Sequence, residues 1–337
     1  MSTRTPARDR GRALRAAAAA LAAAALAACS AQGSVTAGGD RGPAPEDAEL
    51  SIVASTKVWS DIAAHVVDDD RVAITAIIAG NDADPHSYEP TAADMALVED
   101  ADVLLAGGGH YDVWLTRAAG DTGATVVSAL DGGDRDGHDH DDHDHGHDQD
   151  HDGATGGHAD HGHGAGGHHH DGEVNEHIWY DLDALARVGA ELERVVDGEM
   201  DDPDAADAAD LEERIAEIRE AKEDVGGLRV AQTHPIADGI LEGTAMREVT
   251  PAGFRSSGLS ESTPAAADVN AMLRLIESGD LDVLVDAPQT ADQVAKRLVD
   301  AAHAAGVPVI EVWESPSAEE DFLDLYRRTV DEFAGIG

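Results

Sequence analysis

Residues 72–90 read VAITAIIAGNDADPHSYEP. Val72 to Ile78 are mostly apolar and largely β-branched, the composition of a strand. Gly80 and Asn81 break the strand, and Pro85 and Pro90 stiffen the turn that follows. From Ala92 to Glu99 the spacing is helical. Strand, stiff turn and helix are the parts of a βαβ unit, and they recur on either side. Upstream, Leu50 to Ser55 is strand-like and Trp59 to Val67 helical. Downstream, the strand Asp102 to Ala106 is closed by Gly107-Gly108-Gly109, and Thr125 to Leu130 makes another. Strands alternating with helices predict a mainly parallel sheet.

The pattern repeats in the second half. Helical spacing runs from Ala184 to Val196. Asp204 to Asp224 predicts one long exposed helix with Leu211, Ile215 and Ile218 on a single face, ended by Gly226-Gly227. Strands are predicted at Leu228–Thr233, Met246–Thr250, Leu281–Asp286 and Val307–Trp313. Helices are predicted at Ile236–Glu242, Ala265–Ser278, Thr290–Ala305 and Ala318–Phe333. The fold class is therefore α/β: two lobes, each with a roughly four-stranded, mainly parallel sheet flanked by helices. Residues 49–200 form the first lobe, 201–226 the linking helix and 227–337 the second lobe. Ligands of open α/β sheets bind beyond the carboxyl ends of the strands, so a site is expected in the cleft between the lobes.

A formal charge of −45 over 337 residues argues against nucleic acid and anionic lipid surfaces as partners, and suits attraction of cations. Arg4, Arg8, Arg10, Arg12 and Arg15 precede an apolar run, Ala16 to Ala28, that is too short to span a membrane comfortably. It ends in Leu26-Ala27-Ala28-Cys29, similar to a bacterial lipobox. Residues 1–28 are thus expected to be a cleaved signal, with the chain's single Cys lipidated and 29–48 a Gly/Ala/Pro/Ser-rich tether. Between 134 and 171 lie twelve of the 18 His, interleaved with Asp and Gly and with no aliphatic side chain larger than Ala. Such a segment builds no core but suits weak, multi-site binding of transition metal, with His138, His140, His143, His145, His147 and His151 as auxiliary ligands.

Six His lie outside that segment: His65, His86, His110, His177, His234 and His303. His86 sits in the turn after a strand, His177 in NEHIWYDL (175–182), and His234 at the end of the second lobe's first strand. Three imidazoles at carboxyl-edge positions of two lobes point to one shared metal ion. His110, after the triple Gly, reads as a residue of the cleft rim or an auxiliary ligand; His65 and His303 fall in helical patterns. Gly253 to Pro264 (GFRSSGLSESTP) reads as a mobile loop near the cleft without ligands of its own.

ADPHSYEP and NEHIWYDL, with the lipobox and the two-lobe plan, resemble the metal-binding (zinc/manganese) solute-binding lipoproteins of bacterial ABC importers, over about residue 49 to the C-terminus. The resemblance implies four side-chain ligands. Two carry over as His86 and His177. The third, which follows the first strand of the second lobe, falls on His234. The fourth is a carboxylate after the last strand of that lobe, which falls on Glu314; the family often has Asp at slightly different spacing, and Asp286 competes. The resemblance also implies a rigid linking helix, an ABC permease as partner, a monomer held at the membrane by its lipid, and no enzyme activity. Three His and one carboxylate favour Zn²⁺ over Mn²⁺, which prefers more oxygen. Imidazoles must be neutral to ligate, so binding is expected to weaken as pH falls through about 6.5. Glu176 and Asp181 are candidates to orient His177. An extracytoplasmic zinc hydrolase is the rival from another class, but no HExxH or nucleophile elbow is present.

Overall fold

The computed structural model describes residues 48–109, 111–130 and 175–336. The first sheet comprises β1 (Leu50–Thr56), β2 (Val72–Ile78), β3 (Val103–Ala106) and β4 (Thr125–Ser128), all parallel, in the order β2-β1-β3-β4. The second comprises β5 (Arg229–Gln232), β6 (Arg247–Glu248), β7 (Val283–Asp286) and β8 (Val309–Glu311), again all parallel, in the order β6-β5-β7-β8. The central strands β3 and β7 are buried at every residue, which is why their sequences, VLLA and VLVD, hardly alternate. Beside the first sheet lie α1 (Lys57–Ala64), α2 (Ala92–Glu99) and α3 (Val113–Ala119), followed by α4 (Leu182–Met200) and α5 (Ala209–Glu223). The second sheet is accompanied by α6 (Asp238–Leu241), α7 (Ala252–Leu259), α8 (Ala266–Ser278), α9 (Gln293–Ala305) and α10 (Phe322–Ala334).

Two elements differ from the sequence expectation. The linking helix α5 begins at Ala209 rather than Asp204, because residues 201–208 turn and Asp201 adopts a left-handed backbone (φ 48°). Its Leu211, Ile215 and Ile218 are buried, so the helix is exposed on one side only. The stretch GFRSSGLSESTP is not simply a loop: its first part is α7. Gly and Ser are poor helix formers, but Phe254 buries its ring in the second lobe and Arg255 pairs with Asp238. Tertiary contacts therefore override the local preference.

One apolar core runs through both lobes. It joins Trp59 and Leu105 of the first lobe, Leu211 and Ile218 of α5, and Val230, Val283 and Phe322 of the second. Each sheet has a smaller cluster of its own on the other side. Polar contacts reinforce the seam. The His65 ring lies between Asp210 on α5 (Nδ1, 2.5 Å) and Asp321, the N-cap of α10 (Nε2, 3.1 Å). The Asp321 contact first, aided by Asp210 and opposed by burial, pushes His65 up to about 9. The Phe322 amide donates to Asp61 of α1 at 2.9 Å. His65 is thus structural, and His303 lies in the last turn of α9, whose C-cap is Gly306. No helix among the described residues is long and apolar enough to cross a membrane.

Candidate metal centre

Four side chains converge at the carboxyl ends of the two sheets. His86 stands in a 3₁₀ turn, Pro85–Ser87, eight residues beyond the end of β2 (residue 78). Asp84 caps that turn by accepting from the His86 amide at 2.9 Å, a local use of the Asp-x-His spacing. His177 immediately precedes a second 3₁₀ turn, Ile178–Tyr180, which feeds α4. His234 follows β5, and Glu314 follows β8. One ligand atom from each lies within 4.8 Å of the others. The Nε2 atoms of His177 and His234 are 2.9 Å apart, and Glu314 Oε1 is 3.6 Å from Nε2 of both His86 and His177. Donors about 2.0–2.1 Å from a tetrahedral ion sit ~3.4 Å from one another, so these spacings surround one ion's worth of space.

Electrostatics single out the same place. Glu314 is fully buried, and neither of its oxygens has a hydrogen-bond partner; nor has buried His86 Nε2. Orphaned buried polar atoms are costly and rare. A cation at their centre would satisfy all three. Burial would raise the Glu314 carboxyl, but the His177 and His86 rings outweigh it and hold it well below the usual range. Burial lowers His86, but Glu314 and then Glu261 overcome this and push it up to about 9. Burial, aided by His177, brings His234 down to about 3.

Outer partners fix the rings. Asn175 accepts from the His177 ring at Nδ1 (2.7 Å) and from the His177 amide (3.1 Å). Its own Nδ2 donates across the cleft to the Pro235 carbonyl and to Asp238, both at 2.7 Å. Those two acceptors require the amide nitrogen on their side, so Oδ1 must face the ring and Nδ1 must carry the proton. Nε2 is then the free donor toward the ion. Glu261 likewise accepts from His86 Nδ1 at 2.8 Å. The expected orienters of His177 have other tasks. Glu176 accepts from the Tyr111 amide at 2.8 Å, and Asp181 caps α4 by accepting from the Asp183 and Ala184 amides.

The two segments that bear His177 and Glu314 are tied directly: Tyr180 donates to the Trp313 carbonyl at 2.8 Å. Gly239 allows the second lobe to close on this seam, since a Cβ there would lie 2.2 Å from the Tyr180 carbonyl oxygen. Tyr111 walls the site, its ring edge-on to His86 at 4.9 Å and 4.7 Å from that of Trp179.

Of the residues singled out in the sequence, His86, His177, His234 and Glu314 come together. Asp286 stays outside the group; it accepts from Thr233 Oγ1 at 2.8 Å. His110, the histidines of residues 134–171 and Cys29 lie outside the described residues. The sequence pattern puts Glu261 in a loop without ligands and gives neither it nor Asn175 a part in the site. The latter had a signal, an amide two residues before a ligand-type His.

A family model described as zinc-uptake complex component A, periplasmic, matches residues 52–335. A curated relative, the manganese-binding lipoprotein MntA of Halalkalibacterium halodurans, is 31% identical over 83 residues, 25% of this chain. The match spans 27% of that relative's length. Among solved structures, a crystal structure of ZnuA aligns with TM-score 0.59 at 16% identity, covering 86% of this chain and 99% of that one. FpvC of Pseudomonas aeruginosa in complex with Mn²⁺ aligns with TM-score 0.55 at 14% identity, covering 85% and 97%. At such identities the structural likeness speaks for the fold.

Proposed function

The chain belongs to the family of periplasmic zinc-uptake complex A components, metal-binding solute-binding proteins, and from there we propose that it is the extracytoplasmic receptor that captures Zn²⁺ and delivers it to an ABC-type permease. His86, His177, His234 and Glu314 are the proposed ligands. The observation that carries this reading is their convergence from both lobes on one point, with His86 Nε2 and both Glu314 oxygens buried and unpartnered. Four protein donors fill a tetrahedral shell and leave no vertex for a reactive water, which favours carriage over hydrolysis. Three nitrogens and one oxygen favour zinc; manganese, bound by the relatives named above, is the alternative. Cys29 is proposed to carry the lipid that holds the monomeric receptor at the membrane. The His-rich residues 134–171 are proposed as an auxiliary, low-affinity zinc collector or sensor.

Competition titration against chelators tests both metal and site. Zinc is expected to bind one site tightly and to displace manganese. Deleting 134–171 should remove weak sites and keep the tight one; loss of the tight one would move the receptor site into that segment. The pH dependence proposed here is shifted from the sequence expectation of about 6.5. His86, held up to about 9, keeps a proton at neutral pH that zinc must displace, whereas His234, near 3, has none to lose. Zinc affinity should therefore fall about tenfold per pH unit as pH drops below about 9. A flat profile between pH 9 and 7 would contradict the placement of that proton.

A further inference from the structure

The rings contributed by the first lobe are held from behind by the second. His86 belongs to the turn after β2, yet its Nδ1 bonds Glu261, which follows α7 and lies 175 positions away in the chain. His177 bonds Asn175, whose amide is anchored on Pro235, next to His234, and on Asp238. Asp238 in turn receives Gln232 Nε2 at 2.8 Å and Arg255 Nη1 at 3.0 Å. Arg255 lies on α7, the helix that ends just before Glu261. Glu261 itself adopts a left-handed backbone (φ 48°), a conformation that disfavours side chains with a Cβ. Such a conformation persists where the surroundings over-determine it. The Glu261 carboxylate is about half exposed (55%), and the residue lines two cavities, of about 1560 Å³ and about 310 Å³. A folding role gives no reason for a strained, half-exposed carboxylate; the contact with His86 does.

We infer that Glu261 is a positioning residue: reaching across the cleft, it fixes the ring of His86 with Nε2 toward the ion, as Asn175 does for His177. Parting of the lobes then removes His234 and Glu314 from the ion, frees the ring of His86, and strips Asn175, behind His177, of its anchors on Pro235 and Asp238. This rests on the four-residue reading of the site.

Stopped-flow release of zinc into excess chelator tests it on the full chain. Glu261→Gln keeps an acceptor for Nδ1 and should release zinc at close to the unmodified rate. Glu261→Gly loses the acceptor and relaxes the backbone; release should accelerate about 10- to 100-fold, the usual cost of losing an outer partner. Its metal-free melting temperature should not fall, a combination that a merely structural role would not give. The association rate should change little; if Gln and Gly instead slow it equally, Glu261 acts as an attracting charge and the inference fails. Unchanged release in Glu261→Gly also overturns it while leaving the site intact. Absence of tight zinc binding in the unmodified chain would overturn the site reading itself.

Discussion

Replacing His177 with alanine should weaken zinc binding by about two to three orders of magnitude while leaving the fold in place. A tetrahedral zinc site is worth about 10–16 kcal/mol, so each of four donors contributes about 2.5–4 kcal/mol on average. Among the described residues, the donors that face the centre are already the other three. His177 is buried, but the fold should survive because the backbone ties around it do not depend on its ring. Asn175 keeps its bonds to the residue 177 amide, to Pro235 and to Asp238. Chelator competition measures the loss, and a thermal melt of the metal-free protein checks the fold. Unchanged affinity would remove His177 from the site.

Glu314→Ala should cost at least as much affinity, and its effect on stability should run the other way. Glu314 is fully buried with both oxygens unpaired by hydrogen bonds. In the metal-free protein the His177 and His86 rings beside it are what favour its charged form against burial. Buried charges of this kind are expensive and are kept for function. Removing it should leave the metal-free melting temperature unchanged or higher, and zinc should then add little further stabilisation. Asp286→Ala is the control. Its carboxylate accepts from Thr233 rather than facing the centre, so zinc affinity should change by less than about threefold. The reverse ranking would exchange the roles of the two carboxylates.

Much of this was legible in the sequence because it depends on local rules. Continuous apolar runs such as VLVD mark strands covered on both faces, and parallel strands place their following residues at one edge. His86, His177, His234 and Glu314 each follow or flank such an edge, so order along the chain already brought them near one another. What escaped depends on contacts distant in sequence. The helix at Ala252–Leu259 is held by Phe254 and by an Arg255–Asp238 pair, against its Gly/Ser content. Glu261 gains its role only because that helix is carried to a turn in the other lobe. The start of α5 moved because a left-handed Asp201 inserts a turn for which composition gives no warning.

The central claim is that one ion is held by donors from both lobes. Crystallographic anomalous difference maps at the zinc edge, on protein loaded with one equivalent, test it most directly. The expected result is a single strong peak about 2.0–2.2 Å from Nε2 of His86, His177 and His234 and from a carboxylate oxygen of Glu314. A peak elsewhere, or one bound by donors of a single lobe with water completing the shell, would contradict it.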